Sequence, residues 1–176
     1  MSQPDLAPAG QPAKGAKQLW KAGQPWVSLF LRLGLAAVAF WAAIPKLMDL
    51  DQSKRAVYYY DLFPLGLSNL IGIVVPVVEM ALGIVLVAGL LTRYSAAVFG
   101  LMMVVYIVGI AQAWARGLDI NCGCFDPGGP LQEGQQTAFG IDILRDIGLA
   151  AAAAVLMIWP SSPASLDKVL RLDPTL

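Results

Sequence analysis

Both cysteines of this 176-residue chain lie in one short segment, Asp119-Ile120-Asn121-Cys122-Gly123-Cys124-Phe125-Asp126-Pro127-Gly128-Gly129-Pro130. Two positions apart, their Cα atoms come within disulfide range only if the chain bends, and Gly123 permits the bend. The ring so formed is small and strained. Strain raises the reduction potential, so the bond exchanges readily with other thiols. In an oxidising compartment Cys122 and Cys124 therefore read as a redox pair. The competing reading is a bare structural clip or two inert thiols. A bridge closing so short a loop removes little unfolded-state entropy, which makes it a poor clip. A low thiol pKa wants cationic neighbours or a helix N-terminus. Here Asp119 and Asp126 flank the pair and Arg116 is the nearby cation. The pair thus reads as an electrophilic disulfide that the thiolate of a partner attacks. A metal site would need two further ligands from another chain, so no metal is expected.

Glu79 is the second candidate, because it interrupts a long apolar run, 65–91. A carboxylate at that depth in a bilayer is costly, faces other helices and pairs. It lies about 18 Å from the inner end of its helix at 1.5 Å per residue. Arg32, about 9 Å in from the same face, and Lys46, at the far end of the first apolar run, are the two candidate partners. Two roles are open: a proton carrier or quinone-site acid, and a structural ion pair locking the first two helices. The structural pair is the preferred reading.

The rest of the chain says what must hold these residues. It is 57% hydrophobic and 14% charged, against roughly 25% charged in an average soluble domain. Its mean hydropathy is +0.64, which suits the lipid bilayer as solvent. Twelve Lys and Arg balance twelve Asp and Glu, so there is no basic field for nucleic acid. The chain contains no histidine, which excludes Ser-His-Asp and Cys-His catalysis, ordinary zinc sites and His-ligated haem.

A transmembrane helix needs about 20 mostly apolar residues. Four segments supply this, at about 26–47, 65–91, 94–115 and 137–159. The fourth has Thr137 as N-cap and carries Asp142, Arg145 and Asp146 in its first turns, read as a solvated helix start. Pro76 should kink the second. The predicted fold class is all-α: an integral membrane four-helix bundle with an extracytoplasmic Cys-x-Cys loop between helices 3 and 4. Residues 1–25, rich in Pro, Ala and Gly, read as a disordered cytoplasmic tail, and 160–176 as a second cytoplasmic tail. Within the latter, Leu166–Leu172 could lie on the membrane surface. Trp26, Tyr94 and Trp159 fall at one interface, and Trp41, the Tyr58–Tyr60 run and Trp114 at the other. The face with both termini carries six Lys and Arg against five opposite, a bias that favours cytoplasmic termini. Ala96 with Gly100, and Ala150–Ala154, read as surfaces for close helix packing.

Together these residues resemble the DoxX-like superfamily of small four-helix membrane proteins, and more closely its MauE (methylamine-utilisation) branch. The likeness covers about 29–158 and rests on Ile44-Pro45-Lys46-Leu47, on Tyr60 with Leu62-Phe63-Pro64, and on Pro76 with Glu79. It continues in Gly89-Leu90-Leu91-Thr92-Arg93 and ends on Cys122-Gly123-Cys124-Phe125. Asp126 stands where the family form continues with glycine. The resemblance implies a membrane component of an extracytoplasmic thiol–disulfide relay beside a thioredoxin-fold partner, in the inner membrane of a bacterium. The DoxX relatives imply quinone-linked thiol or sulfur oxidation, which makes quinone the implied cofactor. The alternative is a non-catalytic membrane anchor or assembly subunit of a larger complex.

Overall fold

The computed structural model describes residues 14–123, 128–130, 137–160, 162 and 165–169. The element order is α1 (Lys14–Met48), α2 (Leu50–Tyr59), α3 (Leu65–Ala88), α4 (Thr92–Ala115), β1 (Ile120–Asn121), β2 (Gly129–Pro130), α5 (Phe139–Ile158) and α6 (Leu166–Val169). Helices α1, α3 and α4 are long and apolar enough to cross a membrane. α1 lies along α3 and α4 along α5. Phe30, Leu70, Val77, Leu101, Val108 and Leu144 point outward and exposed, as expected where lipid replaces water around the helices.

The first helix departs from expectation. It reaches back to Lys14, where a disordered tail was expected over 1–25. A helix already nucleated by the span gains one hydrogen bond for each further residue fixed, except where Pro25 inside it has no N–H to give, and the Lys, Ala, Gln and Leu residues of 14–22 are good helix formers. The part of the expected tail before Lys14 lies outside the described residues. α5 begins at Phe139 with Ala138 as its N-cap and no side-chain cap bond, so Thr137 does not cap it. Phe139 is instead drawn into the packing, buried with Ile110, Ala113 and Ile120 and 6.4 Å from the Trp114 ring.

The main core is built from small and large residues in alternation, with Ala36, Ala39, Ala96 and Ala153 set among Leu86 and Phe99. Alanines let the helix axes approach, and dispersion replaces the hydrophobic effect as the cohesive force in lipid. Ala96 is fully buried and Gly100 faces Ala153, so the small-residue surfaces of α4 and α5 do meet each other.

α2 is a ten-residue helix between α1 and α3. Asp49 caps it by accepting from the Gln52 N–H at 2.9 Å, and it packs across α3. Proline chemistry fixes that contact. Pro76 has no N–H to give the Gly72 carbonyl four residues earlier, and the Ser53 hydroxyl of α2 donates to that carbonyl at 2.7 Å. Close approach requires glycine there, because a Cβ on Gly72 would fall 2.6 Å from the Lys54 Cα.

At the opposite end the short helix α6 meets the start of α4. The Asp167 carboxylate accepts from the Leu91 N–H at 2.6 Å and the Thr92 N–H at 2.9 Å. These are the open donors of the α4 N-terminus, where a negative charge also meets the positive end of the helix dipole. Leu91 sits at φ 48°, a left-handed conformation that costs about 1–2 kcal/mol for a residue with a Cβ, and the Asp167 bond holds it there.

Candidate functional site

β1 and β2 pair antiparallel, Ile120 opposite Pro130 and Asn121 opposite Gly129. This two-stranded hairpin carries the cysteine segment. Cys122 follows β1 and is half-buried; Cys124, its predicted partner, lies outside the described residues. Gly123 and Gly128 have φ of 70° and 68°. A Cβ on Gly128 would meet the Gly123 Cα and the Ala56 Cβ, each at 2.8 Å. Only glycines let the two limbs close on each other and on α2.

The hairpin sits on α2. Gly129 packs over the Tyr59 ring, and the Tyr60 hydroxyl donates to the Cys122 carbonyl at 2.8 Å. Tyr60 is therefore a support of the cysteine segment and not simply an interface anchor. Arg116 donates to the Tyr60 carbonyl at 3.1 Å and to the Asp61 carboxylate at 3.0 Å. It ties the α2–α3 connection to the end of α4.

Beneath the hairpin lies a cleft of about 530 Å³, walled by α2, α3 and α4. Its lining is largely apolar, with Phe63, Ile71, Val75, Val105 and Val108, while Cys122 and Gly123 reach it at one side and Lys46 and Tyr106 at another. The Lys46 ammonium donates to both oxygens of Glu79, at 2.9 and 3.0 Å. The Tyr106 hydroxyl donates to Glu79 Oε1 at 2.6 Å, and the Lys46 nitrogen stands 5.5 Å from the centre of the Tyr106 ring. Lys46 and Glu79 are both buried. Three helices are thus joined by one ionic group in which both Glu79 oxygens are hydrogen-bonded, a geometry that offsets the desolvation of a buried pair.

Of the two candidate partners for Glu79, the structure selects Lys46. Arg32 is fourteen residues earlier on α1, about 21 Å along the axis at 1.5 Å per residue. It is buried at the other end of the molecule, where its guanidinium donates to the Ser162 hydroxyl at 2.7 Å. Nor are Asp142, Arg145 and Asp146 a solvated helix start. Asp146 is fully buried and accepts from two nitrogens of Arg145, at 3.1 and 3.0 Å. Arg145 also donates to Asp142 at 2.9 Å.

Tyr106 is the residue of this site that the sequence reading leaves out, whereas Asp146 is misplaced in it as part of a solvated helix start. Tyr106 had a signal, a phenolic hydroxyl in the middle of an uncharged span, where a buried O–H needs an acceptor. Asp146 had a weaker one, since seven residues into its helix it is about one full turn deeper than Asp142.

A family model described as "Methylamine utilisation protein MauE" matches residues 24–160. The chain is 32% identical over 148 residues to the methylamine utilization protein MauE of Paracoccus denitrificans, an alignment that covers 82% of this chain and 77% of that one. It is 31% identical over 144 residues to the methylamine utilization protein MauE of Methylorubrum extorquens, covering 81% and 75%. No solved structure matches. The matched residues take in α1 from Gln24 on, α3, α4, the Lys46–Glu79–Tyr106 group and the cysteine hairpin, so this chain is a membrane protein of the MauE family.

Proposed function

We propose that this chain is the membrane component of an extracytoplasmic thiol–disulfide relay, exchanging electrons between its Cys122–Cys124 pair and a thioredoxin-fold partner. The observation that carries the reading is the placement of Cys122, on a glycine-hinged hairpin at the edge of an apolar cleft with an ionic group at its floor. By its relatives' names, the relay serves proteins needed for methylamine utilisation. α5 is taken as the fourth span, since its charges Asp142, Arg145 and Asp146 pair among themselves and 147–158 is free of charge. Four spans with both termini cytoplasmic put the hairpin outside the inner membrane, where a soluble partner reaches it.

The chemistry balances in two exchanges. A partner thiolate attacks one sulfur of the Cys122–Cys124 disulfide, forming a mixed disulfide and releasing the other sulfur as thiolate. The partner's second thiolate then attacks the mixed disulfide. The partner leaves oxidised and the hairpin keeps two electrons as a dithiol. Returning the pair to the disulfide needs a two-electron acceptor of lipid-soluble quinone type. The cleft suits such a molecule. Its volume lies within the roughly 300–1,000 Å³ of small-molecule sites, and its apolar walls match a flat ring. Lys46 commits two of its three N–H donors to Glu79, which leaves one for a ring oxygen. When bound, a quinone supplies the acceptor for two electrons and two protons.

The test is trapping. Cys124→Ser, and separately Cys122→Ser, should leave one thiol able to hold the partner as a heavier, reductant-sensitive species in cells. The double Ser variant should lose that species while keeping its helices. Full maturation of the partner's substrates by the double variant would overturn the relay and leave an anchoring subunit in its place.

A further inference from the structure

Between α1, α3, α4 and α5 lies a second, much smaller cavity of about 10 Å³, lined by Ala39, Ala42, Glu79, Tyr106 and Asp146 among others. That volume is about what the centre of one water molecule occupies. Asp146 Oδ1 takes both bonds from Arg145, whereas Asp146 Oδ2 is buried with no hydrogen-bond partner among the described residues. A buried carboxylate oxygen left without a donor is expensive. Glu79 supplies a second carboxylate to the same cavity, and Tyr106, which binds Glu79, lines both this space and the large cleft.

We propose that one water held in this cavity bridges Asp146 to Glu79, so that Asp146, the water, Glu79 and Tyr106 form a single proton-conducting unit ending at the floor of the cleft. The charges at hand support it. Lys46 from α1 and Arg145 from α5 face Glu79 from α3 and Asp142 and Asp146 from α5, two cations against three carboxylates. One proton neutralises the group, and the low dielectric favours neutrality. A hop conserves charge along the line: Asp146 gives its proton to the water as the water gives another to Glu79. No electron moves along it. The outer entrance is Arg145 with Asp142, whose side chains are 32% and 14% exposed. The role assigned to the unit, replacing a proton taken up in the cleft, rests on the relay reading. Its existence rests on geometry alone.

The experiment is pH-difference infrared spectroscopy on the full chain in liposomes, in ordinary and ¹⁸O-labelled water. Wild type should show a carboxyl band lost in Asp146→Asn and shifted in Glu79→Gln, with one strongly bound water band that moves on labelling. Ala42→Val fills the cavity without touching a charge, and should remove the water band and the Glu79 dependence together. It serves also if Asp146→Asn fails to fold. In the same liposomes, re-oxidation of the dithiol by a short-chain ubiquinone should change its pH profile in Asp146→Asn, which a merely structural role would not do. An Asp146 band indifferent to both Glu79→Gln and Ala42→Val overturns the water bridge, even where thiol trapping succeeds. Coupled bands in a protein whose double Ser variant matures substrates fully would sink the relay and leave the bridged pair standing.

Discussion

Replacing Glu79 by alanine leaves the Lys46 ammonium buried without its counter-charge and takes the acceptor from the Tyr106 hydroxyl. Breaking a buried pair from one side costs about 3–5 kcal/mol in soluble proteins. The Tyr106 bond, 2.6 Å long, adds about 0.6–1.7 kcal/mol by the measured range for polar contacts between membrane helices. Glu79→Ala should therefore destabilise by about 4–7 kcal/mol as the sum of these two terms. Glu79→Gln keeps an oxygen for Tyr106 but loses the charge and one of the two acceptors facing Lys46, so its cost should be about half that. The paired replacement Lys46→Met with Glu79→Gln removes the stranded ammonium, and should return to within about 1–2 kcal/mol of wild type, because replacing both members of a buried pair leaves no uncompensated charge. The assay is a double-mutant cycle on unfolding in mixed micelles. A coupling between Lys46 and Glu79 below about 0.5 kcal/mol, the additivity error of such cycles, would refute the claim that these two charges answer each other. Normal folding of Glu79→Gln with all dithiol re-oxidation lost would instead make Glu79 a proton carrier first and a structural anion second.

Further perturbations test the supports of the site. Gly72→Ala places a methyl against the Lys54 backbone and should cost about 1–3 kcal/mol by overpacking, loosening α2 and with it the cleft wall. The control Gly66→Ala meets nothing within 4 Å and should be neutral or stabilising by up to about 1 kcal/mol; equal effects at both would contradict the close α2–α3 contact. Asp167→Ala uncaps α4 and should cost about 0.5–2 kcal/mol, seen as faster amide exchange at Leu91 and Thr92, and unchanged exchange there would dismiss the cap. A reporter fused after Leu176 should be active only if of the cytoplasmic type; activity from a periplasmic type would reverse the orientation and place the hairpin inside.

Much of the molecule is written locally in the chain. The apolar runs fix α1, α3 and α4 as span-length helices, because in lipid a backbone must satisfy its own hydrogen bonds and hydropathy alone measures the length available. Glu79 declared itself as a residue in need of a partner for the same reason, and the cysteine pair by its spacing. What the sequence could not decide was which distant groups meet. Lys46 and Arg32 are both cations on one helix, and only the antiparallel packing of α1 on α3 brings Lys46 to the depth of Glu79 and carries Arg32 to Ser162. α2 has too little apolar surface to announce itself, and it is held on α3 where Ser53 supplies the hydrogen bond that Pro76 cannot give Gly72. Asp146 and Asp167 look like ordinary surface carboxylates in the sequence. One is buried by the packing of α5, and the other is claimed by an open helix end some 75 residues away. Local pattern reports the free energy of a segment against its solvent, whereas a buried charge or an open N–H is satisfied by whatever the fold brings beside it.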